Sequence, residues 1–136
     1  MSSRLFIVMR DDLPEMRGGF LLPQCAHAAS AFQSRWKDAD QSHPDRRHAQ
    51  VWANSTPQGF GTKIVMSGSM QKITALVRAS THIGLFADII HDPSFPREVG
   101  MDREYVPRDT CGYVFIPNVG ANPLRARLED FPLHNG

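Results

Sequence analysis

The stretch Arg17-Gly18-Gly19-Phe20-Leu21-Leu22-Pro23-Gln24-Cys25-Ala26-His27-Ala28-Ala29 decides how this chain folds. Two glycines loosen the backbone, and Pro23 follows where a first helical turn does not need its missing N–H. From there Cys25, Ala28, Ala29, Phe32 and Trp36 recur at helical spacing and mark one buried stripe. Gln24 and His27, three apart, share an adjacent face and point together toward the loop end. Upstream, Leu5 to Met9 is an unbroken apolar run that suits a strand covered on both faces, and Arg10-Asp11-Asp12-Leu13-Pro14 ends it. Strand, glycine loop and helix in that order place the loop where open α/β sheets hold their ligands.

The remaining elements follow the same grammar. Residues 37–60 are polar and turn-rich, and Arg46-Arg47-His48 reads either as an extension of the helix or as a short separate one. Lys63-Ile64-Val65-Met66 is a second buried strand, and Ser67-Gly68-Ser69 supplies turn and N-cap chemistry. Ile73, Leu76, Val77 and Ser80 trace a second helix that Gly84 ends. Leu85 to Ile90 makes a third strand, closed by His91-Asp92-Pro93. Pro93, Pro96 and Pro107 make 93–109 read as an ordered loop, with a fourth strand over Gly112 to Ile116. Asn122-Pro123-Leu124 starts a short last helix bearing Leu124 and Leu128. This order predicts one α/β domain over residues 1–136, of three layers. Its four-stranded sheet is expected to be mostly parallel, with the first three strands mutually parallel and helices on both faces.

Composition narrows the function. In 136 residues, 41% of them hydrophobic, no block approaches the roughly 20 apolar residues that span a bilayer, so no membrane role is expected. The apolar run after Met1 is too short before its charges to be a signal peptide, and Cys25 and Cys111 fit a reducing cytoplasm better than a disulfide framework. A net charge of +1 counts mildly against tight binding of a nucleic-acid backbone.

Three segments carry a family resemblance. Phe6-Ile7-Val8-Met9-Arg10-Asp11-Asp12-Leu13, Gly19-Phe20-Leu21-Leu22-Pro23-Gln24-Cys25-Ala26-His27-Ala28, and Lys63-Ile64-Val65-Met66 with Ile89-Ile90-His91-Asp92 resemble the archaeal/eukaryotic-type, second-class peptidyl-tRNA hydrolases. The resemblance implies that family's fold, hydrolysis of the ester in peptidyl-tRNA, homodimerisation, and no cofactor or metal. It also implies an active-site aspartate at Asp92 and, by a looser match, a threonine at Thr110. The family's catalytic lysine falls on Phe20, and the segment from Asp92 to Thr110 is longer than the family's. Thr110-Cys111-Gly112-Tyr113-Val114-Phe115 looks closer to a group of uncharacterised bacterial domains that share the fold.

Each candidate has a plain alternative. Asp92 would orient or activate water from a strand end, or cap a turn before Pro93. His27 would donate to a ligand, or be a packed histidine bonded to backbone, the reading with more weight. Thr110 completes the catalytic set. Arg10, Arg17, Gln24 and Lys63 form the substrate-binding set; the arginines suit phosphate or carboxylate. Gln24 reads equally as a helix cap, and Lys63 more readily as an exposed structural residue. The helix start, with free N–H groups after two glycines, suits an anion. Cys25 has the position of an activated thiol, but the apolar stripe favours a buried, inert one. His43 and His48 with Asp45 match no standard metal spacing, so that segment reads as solvated loop. Two functions stay open: an ester hydrolase acting on tRNA, and a non-catalytic or differently active binding module for a small anionic ligand or a protein.

Overall fold

The computed structural model describes residues 3–119 and 122–134; the opening Met1 and Ser2 lie outside that range. Strand β1 (Arg4–Arg10) leads through a 3₁₀ turn over Gly18–Phe20 into helix α1 (Leu21–Asp38). Helix α2 (Pro44–Ala53), strand β2 (Lys63–Gly68) and helix α3 (Met70–His82) follow. Strands β3 (Ala87–Val99) and β4 (Asp102–Ile116) and a short helix α4 (Arg125–Leu128) complete the chain.

The apolar run of β1 is unbroken because both of its faces are covered. Leu5, Ile7 and Met9 join Cys111, Tyr113 and Phe115 under α1 and α2, where Ala28, Phe32, Trp36, Ala49 and Trp52 pack. Phe6 and Val8 join Val114 and Ile116 on the other face, under Ile73, Leu76 and Val77 of α3 and Leu124, Leu128 and Phe131. The expected three layers are therefore present. Gly112 lets α3 sit close on β4, since a Cβ there would lie 2.7 Å from Ile73 Cγ2.

The sheet is mixed rather than mostly parallel, with strand order β2-β1-β4-β3. β1 pairs in parallel with β2, but β4 enters between β1 and β3 and pairs antiparallel with both. The first three strands do run in one direction, as the crossover argument expects; the strand between β1 and β3 turns two of the ladders antiparallel.

The segment 93–109 is not a loop. It is the outer part of a β3–β4 hairpin, turned at Gly100 with φ +62 between paired Val99 and Asp102. Pro93 and Pro96 are tolerated because β3 is an edge strand, where a missing N–H facing outward costs no ladder bond, and because the register shifts between Asp92 and Phe95 around Pro93. Pro107 lies on β4 beyond its pairing with β1 and is skipped in the register with β3. Phe95, fully buried, roots this arm in the cluster that holds Leu13, Met16 and Leu21. The histidine-containing segment likewise differs from a solvated loop. His43 caps α2 by accepting the Asp45 N–H at 3.1 Å and stacks on Phe86 at 4.3 Å, and no metal-holding group of residues occurs among those described.

Phe32 is the centre of the larger cluster, stacked on Phe115 at 4.9 Å and edge-on to Trp52 at 5.4 Å. Phe32→Ala is expected to lower unfolding free energy by about 3–5 kcal/mol in urea titrations. A loss below about 1 kcal/mol would show that α1 is not packed as described.

Candidate active site

The glycine pair does less for an anion than the sequence suggests. The 3₁₀ turn already uses two N–H groups at the helix start: Phe20 donates to the Arg17 carbonyl and Leu21 to the Gly18 carbonyl. Gln24, one turn further on, is almost fully buried on the inner stripe, whereas His27 is exposed beside it.

A β-bulge then decides the geometry. Ile90 pairs with Cys111 and His91 with Asp109, so Thr110 is an extra residue in β4. A bulge re-aims side chains out of strict alternation. Here both Thr110 and Cys111 contact α1: the Thr110 hydroxyl donates to Gln24 Oε1 at 2.7 Å, and the Cys111 thiol approaches the Gln24 carbonyl at 3.7 Å. On its other side Gln24 Nε2 donates to Asp92 Oδ2 at 2.7 Å. The amide can face only one way, because a carboxylate only accepts. Three of the expected site residues, Gln24, Asp92 and Thr110, thus form one buried relay.

Asp92 makes the turn its sequence allows and a second bond as well. Its Oδ1 accepts the Ser94 N–H at 2.9 Å, as a turn aspartate does, while Oδ2 meets Gln24. Burial alone would raise its pKa; the bonds from Gln24 and Ser94 and the nearby His27 outweigh that and hold the carboxyl below its ordinary value. Asp92 is therefore an anion at neutral pH. The stability it adds is present there and is lost as pH falls through that lowered value.

A cavity of about 540 Å³ opens beside this relay, lined by His27, Ala31 and residues 88–94. His91 lines it too, and its Nδ1 lies 2.8 Å from Asp109 Oδ1 directly across the ladder. Sequence reasoning missed this pair because 93–109 read as loop, which concealed that positions 91 and 109 face one another.

The other expected residues are elsewhere or otherwise engaged. Arg10 ends β1, its Nε on Asp12 at 2.8 Å and its Nη1 on the Asp109 carbonyl at 3.0 Å, so it ties β1 to the arm. Arg17 is exposed ahead of the 3₁₀ turn. Lys63 pairs with Leu5 at the opposite end of the sheet, its ammonium on the Gly61 carbonyl and over Trp52, where burial lowers its pKa. Burial also raises the Cys25 thiol, and pushes Cys111 up to about 12, so neither is an activated nucleophile. Phe20 carries the Arg103 guanidinium over its ring at 5.3 Å.

Residues 3–97 match the family model described as Peptidyl-tRNA hydrolase PTH2. The chain belongs to the PTH2 peptidyl-tRNA hydrolase family. A search of the curated proteins returns no match. The PTH2 match covers β1, α1, α2, β2 and α3 and stops inside β3, so Thr110, Asp109 and the whole returning limb of the arm lie beyond it.

Gln24→Glu tests the relay with almost no change of shape. It sets a second carboxylate against Asp92, and two carboxylates so close cannot both stay ionised. Urea titrations are expected to show a loss of about 2–4 kcal/mol at pH 7. The loss should shrink as pH falls toward about 4 and the pair takes up a proton. A loss independent of pH would contradict the contact.

Proposed function

We propose that this PTH2 member hydrolyses the ester between peptide and tRNA in the cavity lined by His27, His91 and Asp92. The observation that carries the reading is that Gln24, itself held by Thr110, fixes Asp92 in the wall of an open cavity in a family member.

The chemistry needs a base, an oriented water and a donor to the developing oxyanion. His91, with Nδ1–H donated to Asp109, leaves Nε2 free to take a proton from water. Asp92, fixed by Gln24 and Ser94, accepts the water's other hydrogen. The water oxygen bonds to the acyl carbon while His27 donates to the carbonyl oxygen. The acyl bond to the 3′ oxygen then breaks, and the proton passes from His91 to that oxygen. Free peptide acid and deacylated tRNA result. Thr110 positions Gln24 and through it Asp92. Arg103 supplies a cation beside Phe20, and Arg10 and Arg17 stand on the approach to the arm. Homodimerisation, a cytoplasmic location and a place near the bacterial branch of the family belong to the same proposal; the likeness of the Thr110 to Phe115 segment supports the last.

One observation favours a second reading. Phe20 supplies no amine where the family's lysine stands, and a fold kept as a binding module for a small anionic ligand or a protein would tolerate that.

Release of N-acetylaminoacyl groups from tRNA decides between them. The wild type is expected to turn over, and His91→Asn to lower kcat by about 100-fold or more. Asp109→Asn, which leaves His91 in place but alters its partner, should lower kcat less. No release by the wild type, under conditions where another PTH2 enzyme works, would overturn hydrolysis.

A further inference from the structure

Two hollows lie end to end along the exposed side of α2, far from the candidate active site. The first, about 660 Å³, is lined by Arg46, Arg47, Asn54 and Ser55 among others. The second, about 400 Å³, adds Arg4 and His48. They share Arg47, Val51 and Ser55, so they form one groove. No aspartate or glutamate lines either hollow, among the described residues. In a chain of net charge +1 this is a marked segregation of charge.

Two carboxylates stand near the groove without lining it. Asp40, in electrostatic reach of Arg46, accepts both the N–H and the hydroxyl of Ser42. Asp45, in reach of His48, is buried in the first turn of α2. Meanwhile Arg46 Nε is buried without a hydrogen-bond partner, a donor that native structures rarely leave unmet. Guanidinium forks with hydroxyls and amides between them are the donor set that phosphate oxygens and ribose call for.

The groove reaches the start of β1 at Arg4, and the active-site cavity lies by the end of that strand. Six residue steps of strand separate Arg4 from Arg10, roughly 20 Å. A single ligand that spans both places is an extended chain, and the arginines of the groove suit one that carries phosphates. We propose that this groove binds the phosphodiester backbone of the RNA whose acylated end enters the cavity, an inference that rests on the peptidyl-tRNA reading above.

The test uses the full chain, N-acetylaminoacyl-tRNA, and the same acyl ester on a CCA trinucleotide too short to reach α2. Arg46→Gln/Arg47→Gln, and separately Arg47→Glu, are expected to weaken tRNA binding by about tenfold and to lower the log–log salt slope by about 1–2. The ratio of kcat/KM for the tRNA ester to that for the short ester should fall by a similar factor. Arg46→Lys/Arg47→Lys should restore most of the binding, which separates loss of charge from damage to the fold. Equal tRNA affinity and salt slope in wild type and variants would overturn the groove and leave the hydrolase reading standing. Equal affinity for tRNA and inorganic polyphosphate would also overturn it, as a site for any polyanion rather than for RNA. Binding that depends on Arg46 and Arg47 without cleavage of either ester would support the groove and overturn hydrolysis alone.

Discussion

A single buried amide holds the candidate site together. Gln24 reaches Asp92, 68 residues away, with its nitrogen and Thr110, 86 residues away, with its oxygen. Buried polar groups are tolerable only when matched, and here donor, acceptor and charge are all met in one arrangement. That requirement links helix α1 to both limbs of the β3–β4 hairpin. Slip the hairpin by one residue and the hydroxyl, the amide and the carboxylate all lose their partners.

The rest of the site follows from that link. Thr110 reaches α1 only because it is the extra residue of a bulge, and the same bulge sets His91 opposite Asp109. Arg10 closes the end of β1 onto the Asp109 carbonyl, and Phe95 sinks the arm into the core. The arm thus stands as the wall of a cavity instead of a loose loop. Its long returning limb lies outside the stretch that matches the family model.

How much of this the sequence could show depends on how local each signal is. The run at Leu5 to Met9 was legible because a strand buried on both faces has no polar interruption. Ile64 to Met66 was legible because even a half-buried edge strand here keeps apolar residues on both faces. Strand order was not, since a run such as Leu5 to Met9 reads the same whether its neighbour is parallel or antiparallel. The arm was hidden by Pro93, Pro96 and Pro107, which break a central strand but not an edge. The strand formers Val99, Tyr105 and Val106 on either side of Gly100 were the available signal for it. Gln24, Asp92 and Thr110 were found by resemblance, yet the bond geometry that unites them rests on pairing across the sheet. Lys63 was drawn into the set by being a lysine on a strand, although its strand places it at the far end. Net charge concealed the arginine groove, because a sum over the whole surface erases a segregated patch.

The account rests on Asp92 and Thr110 acting on one another through Gln24, since neither contacts the other directly. A double-mutant cycle of Asp92→Asn and Thr110→Val, read as unfolding free energy in urea at pH 7, measures that link. Repeating the cycle in a Gln24→Leu background removes the bridge. The account predicts a coupling of about 1 kcal/mol with Gln24 present and none without it. Additive effects in the presence of Gln24, or a coupling that survives its loss, would contradict it.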